Sequence, residues 1–285
     1  MSVLGRVGRT VLTGYFGLLI VFLYAPLVVL VIFAFNDDTV MAFPIKGFTT
    51  KWFEQGLSDR SLIDAMVRSA LIAGVNGLAA TLLGVLAAIG LAGRQLPLRR
   101  TVLTLILLPL VVPYIVLAVG LVVLLKEFDM TTSLTALLLG HVVISLPYSV
   151  LVILPRLRTM DASILEAARD LGASALKAFA LVTLPLMAPA LLSSFLIAFT
   201  VSFDEFAIAS FLTPPGSPTY PVFLYAGSRT PGLLPEVIAM GSIVIVLSLV
   251  VVVLAEVGRR WAERRIEARP EGEVQPLAAA PAAAG

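Results

Sequence analysis

Two carboxylates stand side by side at Asp204 and Glu205, directly after a run from Ala178 to Phe203 that contains no charge. Adjacent acids at the end of an apolar run can hold an ammonium group. One carboxylate–ammonium contact at 4 Å is worth about 1 kcal/mol in water and about 4 kcal/mol at an effective dielectric near 20. The same pair can instead mark only where a helix leaves an apolar medium, since a carboxylate at mid-membrane costs about 2.5–3.5 kcal/mol. Tyr114, Tyr148 and Tyr225 can line a path for a cation, whose charge favours aromatic faces, or they can simply pack. His141 is the single histidine and there is no cysteine, so neither a metal cluster nor a thiolate site is expected. Beside Gly140, His141 is expected to hydrogen-bond a neighbour. No nucleophile–base pair is evident, so catalytic residues are expected to be absent and an enzyme reading has nothing to rest on.

A second constellation lies upstream in "EAARDLGASALKAFALVTLPLMAPALL", residues 166–192. "SILEAARDLG" has the composition of a short helix, which Ser163 can cap with Glu166 as the reciprocal partner three residues on. Gly172 then stands where a helix end needs left-handed φ. A second short helix, "SALKAF", runs into the next apolar stretch. The spacing predicts a helix-turn-helix knob on a membrane surface, with Leu165, Ala168, Leu171 and Leu176 beside Glu166, Arg169, Asp170 and Lys177. Such a knob either tidies a loop or docks a cytoplasmic partner.

The chain that carries these residues is very apolar. Of 285 residues, 59% are hydrophobic and 13% charged, with mean hydropathy +1.02. Soluble domains carry about 25% charged residues, so the composition points to a membrane protein. A net charge of +2 implies no nucleic-acid partner. Intervals free of Asp, Glu, Lys and Arg run over Thr10–Asn36, Ser69–Gly93, Thr101–Leu125, Met130–Pro155, Ala178–Phe203 and Val237–Ala255. About 20 helical residues cross a hydrocarbon core of roughly 30 Å. The expected architecture is therefore all-α: a polytopic membrane protein with six transmembrane helices in one domain over residues 1–269. One more charge-free interval, Phe206–Ser228, contains Pro214, Pro215, Gly216, Pro218 and Pro221 and is read as an extramembrane or partly re-entrant loop. Pro109 and Pro113, one turn apart, predict two kinks in a single helix that lines a pore or hinges. The first interval outruns a signal-peptide core and no small-x-small site follows it, so it is read as a retained helix.

Orientation follows from Lys and Arg in the connections. One side collects 14 of them and the other 6. The richer side is expected to be cytoplasmic, which places both termini and the 156–177 loop inside. The opposite connections hold 10 acids against those 6 bases, a negative mouth that would concentrate cations, although the inside-positive bias produces much of this asymmetry by itself. Trp52 and Phe53 in the first external loop are expected at the membrane interface. "VGRRWAERRIEAR" after Glu256 suits an anionic inner leaflet, and residues 270–285 form a low-complexity tail expected to be disordered.

The 166–185 segment resembles the "EAA" loop of permease subunits of binding-protein-dependent ABC importers. The matching positions are Glu166, Ala167, Ala168, Gly172, Val182, Leu184 and Pro185, with Val182 where isoleucine is commonest. "GFTTKWFEQGL", "GHVVISLPYSVLVILPRL" and "SFDEFAIASFLT" resemble the spermidine/putrescine-type branch, and the likeness covers nearly the whole chain. Arg68-Ser69-Ala70-Leu71 departs from the Asn-Ser-Leu commoner at that place.

The resemblance implies the type I ABC importer permease fold in a bacterial inner membrane. It implies a second permease subunit, two ATPase subunits that each receive a coupling loop, and an extracytoplasmic solute-binding protein. ATP and magnesium would be bound by the partner ATPase, with no cofactor in this chain, and no G-x-x-x-x-G-K-[ST] loop is present. The coupling residues are then Glu166, Ala167, Ala168, Gly172, Leu184 and Pro185, and the candidate solute path is Asp204, Glu205, Tyr114 and Tyr148. Permeases for ferric iron, sulfate, phosphonate or 4-aminobutyrate share the pattern. A secondary transporter driven by an ion gradient is the alternative from another class, but it would need charged residues inside the spans, where there are none.

Overall fold

The computed structural model describes residues 3–93, 98–230, 232–246 and 249–250, with side-chain surroundings from residue 8 onward except at Ala162. The described residues are helical and form no strand beyond one isolated bridge between Asn36 and Phe48. The helices are α1 (Val3–Phe33), α2 (Lys51–Ser58), α3 (Arg60–Ala92), α4 (Arg99–Leu107), α5 (Tyr114–Glu127), α6 (Leu134–Arg158), α7 (Ala162–Asp170), α8 (Ala175–Ala178), α9 (Leu184–Phe203), α10 (Ala207–Leu212), α11 (Tyr220–Ser228) and α12 (Leu234–Val246). The chain divides into two compact units, residues 1–56 with 235–285, and residues 57–234.

In the first unit, α1 carries no charged residue after Arg9, as a helix in hydrocarbon should. Its 31 residues give a length of about 46 Å at 1.5 Å per residue. Its C-terminal end turns through Ala34–Asn36 into a loop closed by the Asn36–Phe48 bridge. The Trp52 indole donates to the Asn36 carbonyl at 2.7 Å. Trp52 is buried with Ala34 and Ala239, so its N–H finds this partner inside the unit. Phe53 packs at the edge of that cluster and its ring stands 4.9 Å from Phe35.

The second unit is built on α3, α6 and α9. Asp59 caps α3 by accepting from the amides of Ser61 and Leu62. That helix begins nine residues before the charge-free interval, because Arg60, Asp64 and Arg68 lie on turns that extend beyond it. Where the three helices touch, their residues are small: Ala73, Gly77, Ala80 and Gly84 on α3, and Ser194, Ala198 and Ser202 on α9. Without a hydrophobic drive between helices in lipid, close backbone approach and hydrogen bonds hold such an interface. A Cβ on Gly84 would stand 2.7 Å from the Ser149 Cβ.

The third charge-free interval is not one twice-kinked helix. The Arg99–Leu110 and Tyr114–Glu127 segments meet at 105°. Pro113 has no N–H to continue the first segment's ladder, and it sits instead as the N-cap of α5 with ψ 132. Among the described residues, four helices are long and apolar enough to cross a membrane, or five with the broken pair counted as one span. The sixth expected span coincides in part with α12, whose 13 described residues stop at Val246. Residues 251–255 of that span, the basic 256–269 stretch and the 270–285 tail lie outside the described residues.

The proline-rich interval 206–228 folds back against the helices of the second unit. Ile208, Ala209 and Leu212 on α10 are buried in one cluster with Ala118 of α5 and Leu137 and Ile144 of α6. Further on, the Arg68 guanidinium donates to the Pro218 carbonyl at 2.6 Å and the Tyr220 amide donates to Ser69 Oγ at 2.8 Å. Both bonds tie the segment to α3.

Candidate coupling loop and solute path

The knob forms between α6 and α9, as its spacing predicts, but its cap is Asp161 and not Ser163. The Asp161 carboxylate accepts from the Ser163 amide at 2.9 Å, which draws Ser163 into the first turn of α7. That same bond holds the Asp161 pKa below the ordinary carboxylate value. At the other end, Gly172 has φ +85. Its amide donates to the Arg169 carbonyl at 2.8 Å and the Ala173 amide to the Ala168 carbonyl at 3.0 Å. This pair of bonds is a Schellman closure, which needs a left-handed residue at the first position past the helix. Ser174 then caps α8 through the Lys177 amide.

The two caps leave Glu166 and Ala167 exposed and Ala168 half-buried. They also leave two large apolar side chains uncovered: Leu171 is 90% exposed and Leu176 76%. Leu171 follows α7 on the charged loop, and Leu176 lies on α8 at the start of the apolar Ala175–Phe203 helix.

Leu184 and Pro185 are not on the knob. Pro185 lacks an N–H and its ring would crowd the Leu181 carbonyl, and the chain before it widens into a π-helical turn over Phe179–Thr183. Both residues open α9 and line a shallow apolar groove with Leu78, Leu82 and Phe195. The sequence motif therefore maps to two places: the capped loop over α7 and the first turn of α9. The link is continuous, since α8, the π turn and α9 form one helical rod over Ala175–Phe203. The Arg156 guanidinium also reaches across from the end of α6 to the Leu186 carbonyl at 3.1 Å.

Of the candidate path residues, Tyr114 and Tyr148 are brought together. Their hydroxyls are 3.3 Å apart, Tyr114 at the first position after the break and Tyr148 on α6. The Glu205 carboxylate lies near enough to Tyr114 for the two to interact electrostatically. Asp204 and Glu205 have different fates despite being adjacent. Asp204 is exposed at the end of α9, whereas Glu205 is buried and accepts the Ile208 and Ala209 amides at 2.9 Å each. Glu205 thus anchors α10, which leaves Asp204 as the acid open to a solute. Tyr225 stands 4.8 Å from Phe206 and carries the Arg229 guanidinium over its face, so a cation of the chain itself already covers that ring.

The hydrogen bond expected of His141 forms, with Ser202 Oγ as its partner, whereas the bonds of Asn76 and the ties of Arg68 and Ser69 escaped the sequence reading. A signal was present in the spacing of His141, Ser145 and Ser149 along α6, four residues apart and all buried. Among the described residues, no group of three His, Cys, Asp or Glu could hold a metal ion.

Residues 80–267 match the family described as the binding-protein-dependent transport system inner membrane component. The spermidine/putrescine transport system permease protein PotC of Haemophilus influenzae is 36% identical over 235 residues, covering 82% of this chain and 91% of that protein. The PotC of Escherichia coli K12 is 32% identical over 250 residues, covering 88% and 94%. The putrescine transport system permease protein PotI of the same strain is 36% identical over 235 residues, covering 79% and 82%. A crystal structure of a bacterial ABC transporter that imports the acidic polysaccharide alginate aligns with a TM-score of 0.67, at 16% identity, over 90% of this chain and 98% of that one. That likeness concerns the fold. The chain belongs to the binding-protein-dependent transport system inner membrane component family, as a multi-pass inner-membrane permease subunit of an ABC importer.

Proposed function

We propose that this chain is one of two permease halves of an importer for polyamines such as spermidine and putrescine. The 161–177 knob is the foot by which a cytoplasmic ATPase moves its helices. The carrying observation is the doubly capped knob itself, with Leu171 and Leu176 exposed at the head of a helical rod that runs to Phe203. A rod fixed to a gripped foot transmits motion with little loss, because a packed helix moves as a body and does not bend continuously. The excess of Lys and Arg on the knob's side supports a cytoplasmic foot and cytoplasmic termini. ATP and magnesium belong to the partner ATPase, which must bind nucleotide differently in the two states to drive the exchange.

The cargo assignment rests on the PotC and PotI relatives and on Asp204. An exposed carboxylate at the end of an apolar helix offers a solute ammonium a partner that the hydrocarbon around it does not. A second permease, two ATPase subunits and a solute-binding protein complete the proposed assembly.

The test is ATP-driven uptake of labelled putrescine by the four-component importer in liposomes, comparing Gly172 with Gly172→Val and Gly172→Asn. Valine tolerates φ near +85 poorly and asparagine tolerates it well. Gly172→Val should insert normally yet lose most of its ATPase association and uptake, with Gly172→Asn in between. Full ATP-coupled uptake by Gly172→Val, or solute movement by this chain alone without ATPase, overturns the proposal.

A further inference from the structure

His141 is held on two sides inside the second unit, and the path and foot described above make no use of it. It is 1% exposed. Its Nδ1 lies 2.7 Å from Ser202 Oγ on α9, and its Nε2 faces Glu205 Oε2 at 3.6 Å. The second distance is a charge contact and not a hydrogen bond, and Nε2 has no hydrogen-bond partner among the described residues. The ring therefore links α6 to α9 and to Glu205, the residue that holds the first turn of α10.

Glu205 depends on that bridge. At 5% exposure its carboxylate has left water, and the Ile208 and Ala209 amides that it accepts are neutral. Burying a carboxylate without a countercharge is strongly unfavourable, since its lost hydration is not replaced. Among the described residues, the basic group that faces it is His141. Glu205 in turn seats α10, whose Ile208, Ala209 and Leu212 fill the cluster between α5 and α6. Asp204 immediately precedes this anchor, so the fixed Glu205 backbone sets the direction in which the exposed Asp204 leaves the chain.

We propose that His141 is a positioning residue of the solute path: by holding Glu205 in its buried place it keeps α10 seated and Asp204 turned outward toward the passing cation. The role of Asp204 rests on the cargo reading above; the seating of α10 does not. Loss of the imidazole leaves Glu205 a buried charge facing no basic group, and the least costly relief is for the carboxylate to swing toward water and release α10. Two acids then stand loose where one was displayed.

The absence of cysteine makes this testable one site at a time. Ala209→Cys, at a fully buried position on α10, is reacted with a membrane-impermeant maleimide in membranes that contain the whole importer. Labelling should be slow with His141, at least tenfold faster with His141→Leu, and in between with His141→Gln, whose amide can donate to Glu205 but supplies no basic group. Ala198→Cys, buried in the three-helix core, serves as the control. Equal labelling of the Ala209→Cys thiol with His141 and with His141→Leu overturns the proposal. So does a parallel rise in labelling of Ala198→Cys, which would make His141 a general support of the core. Uptake of labelled putrescine gives the second arm. His141→Leu should fall to the level of Asp204→Asn, and His141→Leu/Asp204→Asn should fall no further, since both act through one group. A double variant reduced by the product of the two single effects overturns the positioning role. An importer that ignores putrescine while the labelling contrast persists rejects the cargo and leaves the seating of α10 standing.

Discussion

The Asn76 side-chain amide on α3 donates to Ser145 Oγ on α6 and to the Ala198 carbonyl on α9, both at 2.9 Å. One residue thus fixes the register of all three helices of the second unit. It does so where small residues such as Ala73, Gly77 and Ala80 let the backbones approach closely. Thr81 and Ser194 add a second α3–α9 bond at 3.1 Å.

Asn76→Ala should destabilise the folded state by about 1–2 kcal/mol, since interhelical hydrogen bonds in membranes average about 0.6 kcal/mol and reach about 1.7. Asn76→Asp should do more damage, because it replaces the donor with a charge at a fully buried position. Unfolding titrations in mixed micelles measure both. A wild-type midpoint for Asn76→Ala would show that the small-residue packing alone fixes the register.

The close approach beneath this register gives a second contrast. A Cβ on Gly84 would meet the Ser149 Cβ at 2.7 Å, whereas a Cβ on Gly74 meets nothing within 4 Å. Overpacking costs about 1–3 kcal/mol, while a glycine-to-alanine change in an open helix interior gains up to about 1 kcal/mol. Gly84→Ala should therefore lower the melting temperature in detergent and Gly74→Ala should leave it level or raise it. The reverse order would contradict the described packing of α3 on α6.

How much of this was legible depended on how local each cause is. The knob could be read because its determinants lie within a short stretch of chain: a cap, a glycine and a run of alternating character. Even there the cap was misplaced, since Asp161 and Ser163 are both cap formers and only the geometry shows which carboxylate or hydroxyl reaches an amide. The break at Val111–Pro113 was half visible. Pro109 and Pro113 announced a disturbance, but a charge-free interval looks the same whether a helix kinks or turns through 105°. What decides between them is the seating of α5 against α10, far along the chain. The separate fates of Asp204 and Glu205 are equally remote from local sequence. Nothing in "SFDEFA" says which acid turns inward, because the answer is an imidazole at position 141.

The cap at Asp161 makes the foot sensitive to acid in a defined direction. Its pKa lies below the ordinary 3.8 because the folded state holds the charged form through the Ser163 amide. A lowered carboxylate pKa adds stability that is complete above the unfolded value and fades as pH falls through the folded one. The foot should therefore behave alike across the neutral and mildly acidic range and lose its cap only below 3.8. Hydrogen exchange at the first amides of α7 reads this directly. Asp161→Asn, which still accepts a bond, should abolish the acid response while keeping protection near neutrality, and Asp161→Ala should lose protection at every pH. Protection that fades already near about pH 6, where an unperturbed histidine titrates, would assign the response to another group.

Asp204 carries the sharpest claim about cargo. If its exposed carboxylate meets the ammonium groups of the solute, Asp204→Asn removes a contact worth about 1 kcal/mol in water and about 4 kcal/mol at an effective dielectric near 20. Uptake should then fall about fivefold or more by the lower figure, since about 1.4 kcal/mol is a factor of ten. The loss should shrink as salt rises, because salt screens an exposed pair that works in water. Glu127→Gln gives the control, as that acid is also exposed but sits at the far end of the broken pair. Asp204→Glu should recover part of the rate, since the charge survives on a longer arm. Equal uptake by Asp204→Asn and wild type across low and high salt would return this residue to the role of a helix boundary, and the cation would have to find its partner on the second permease.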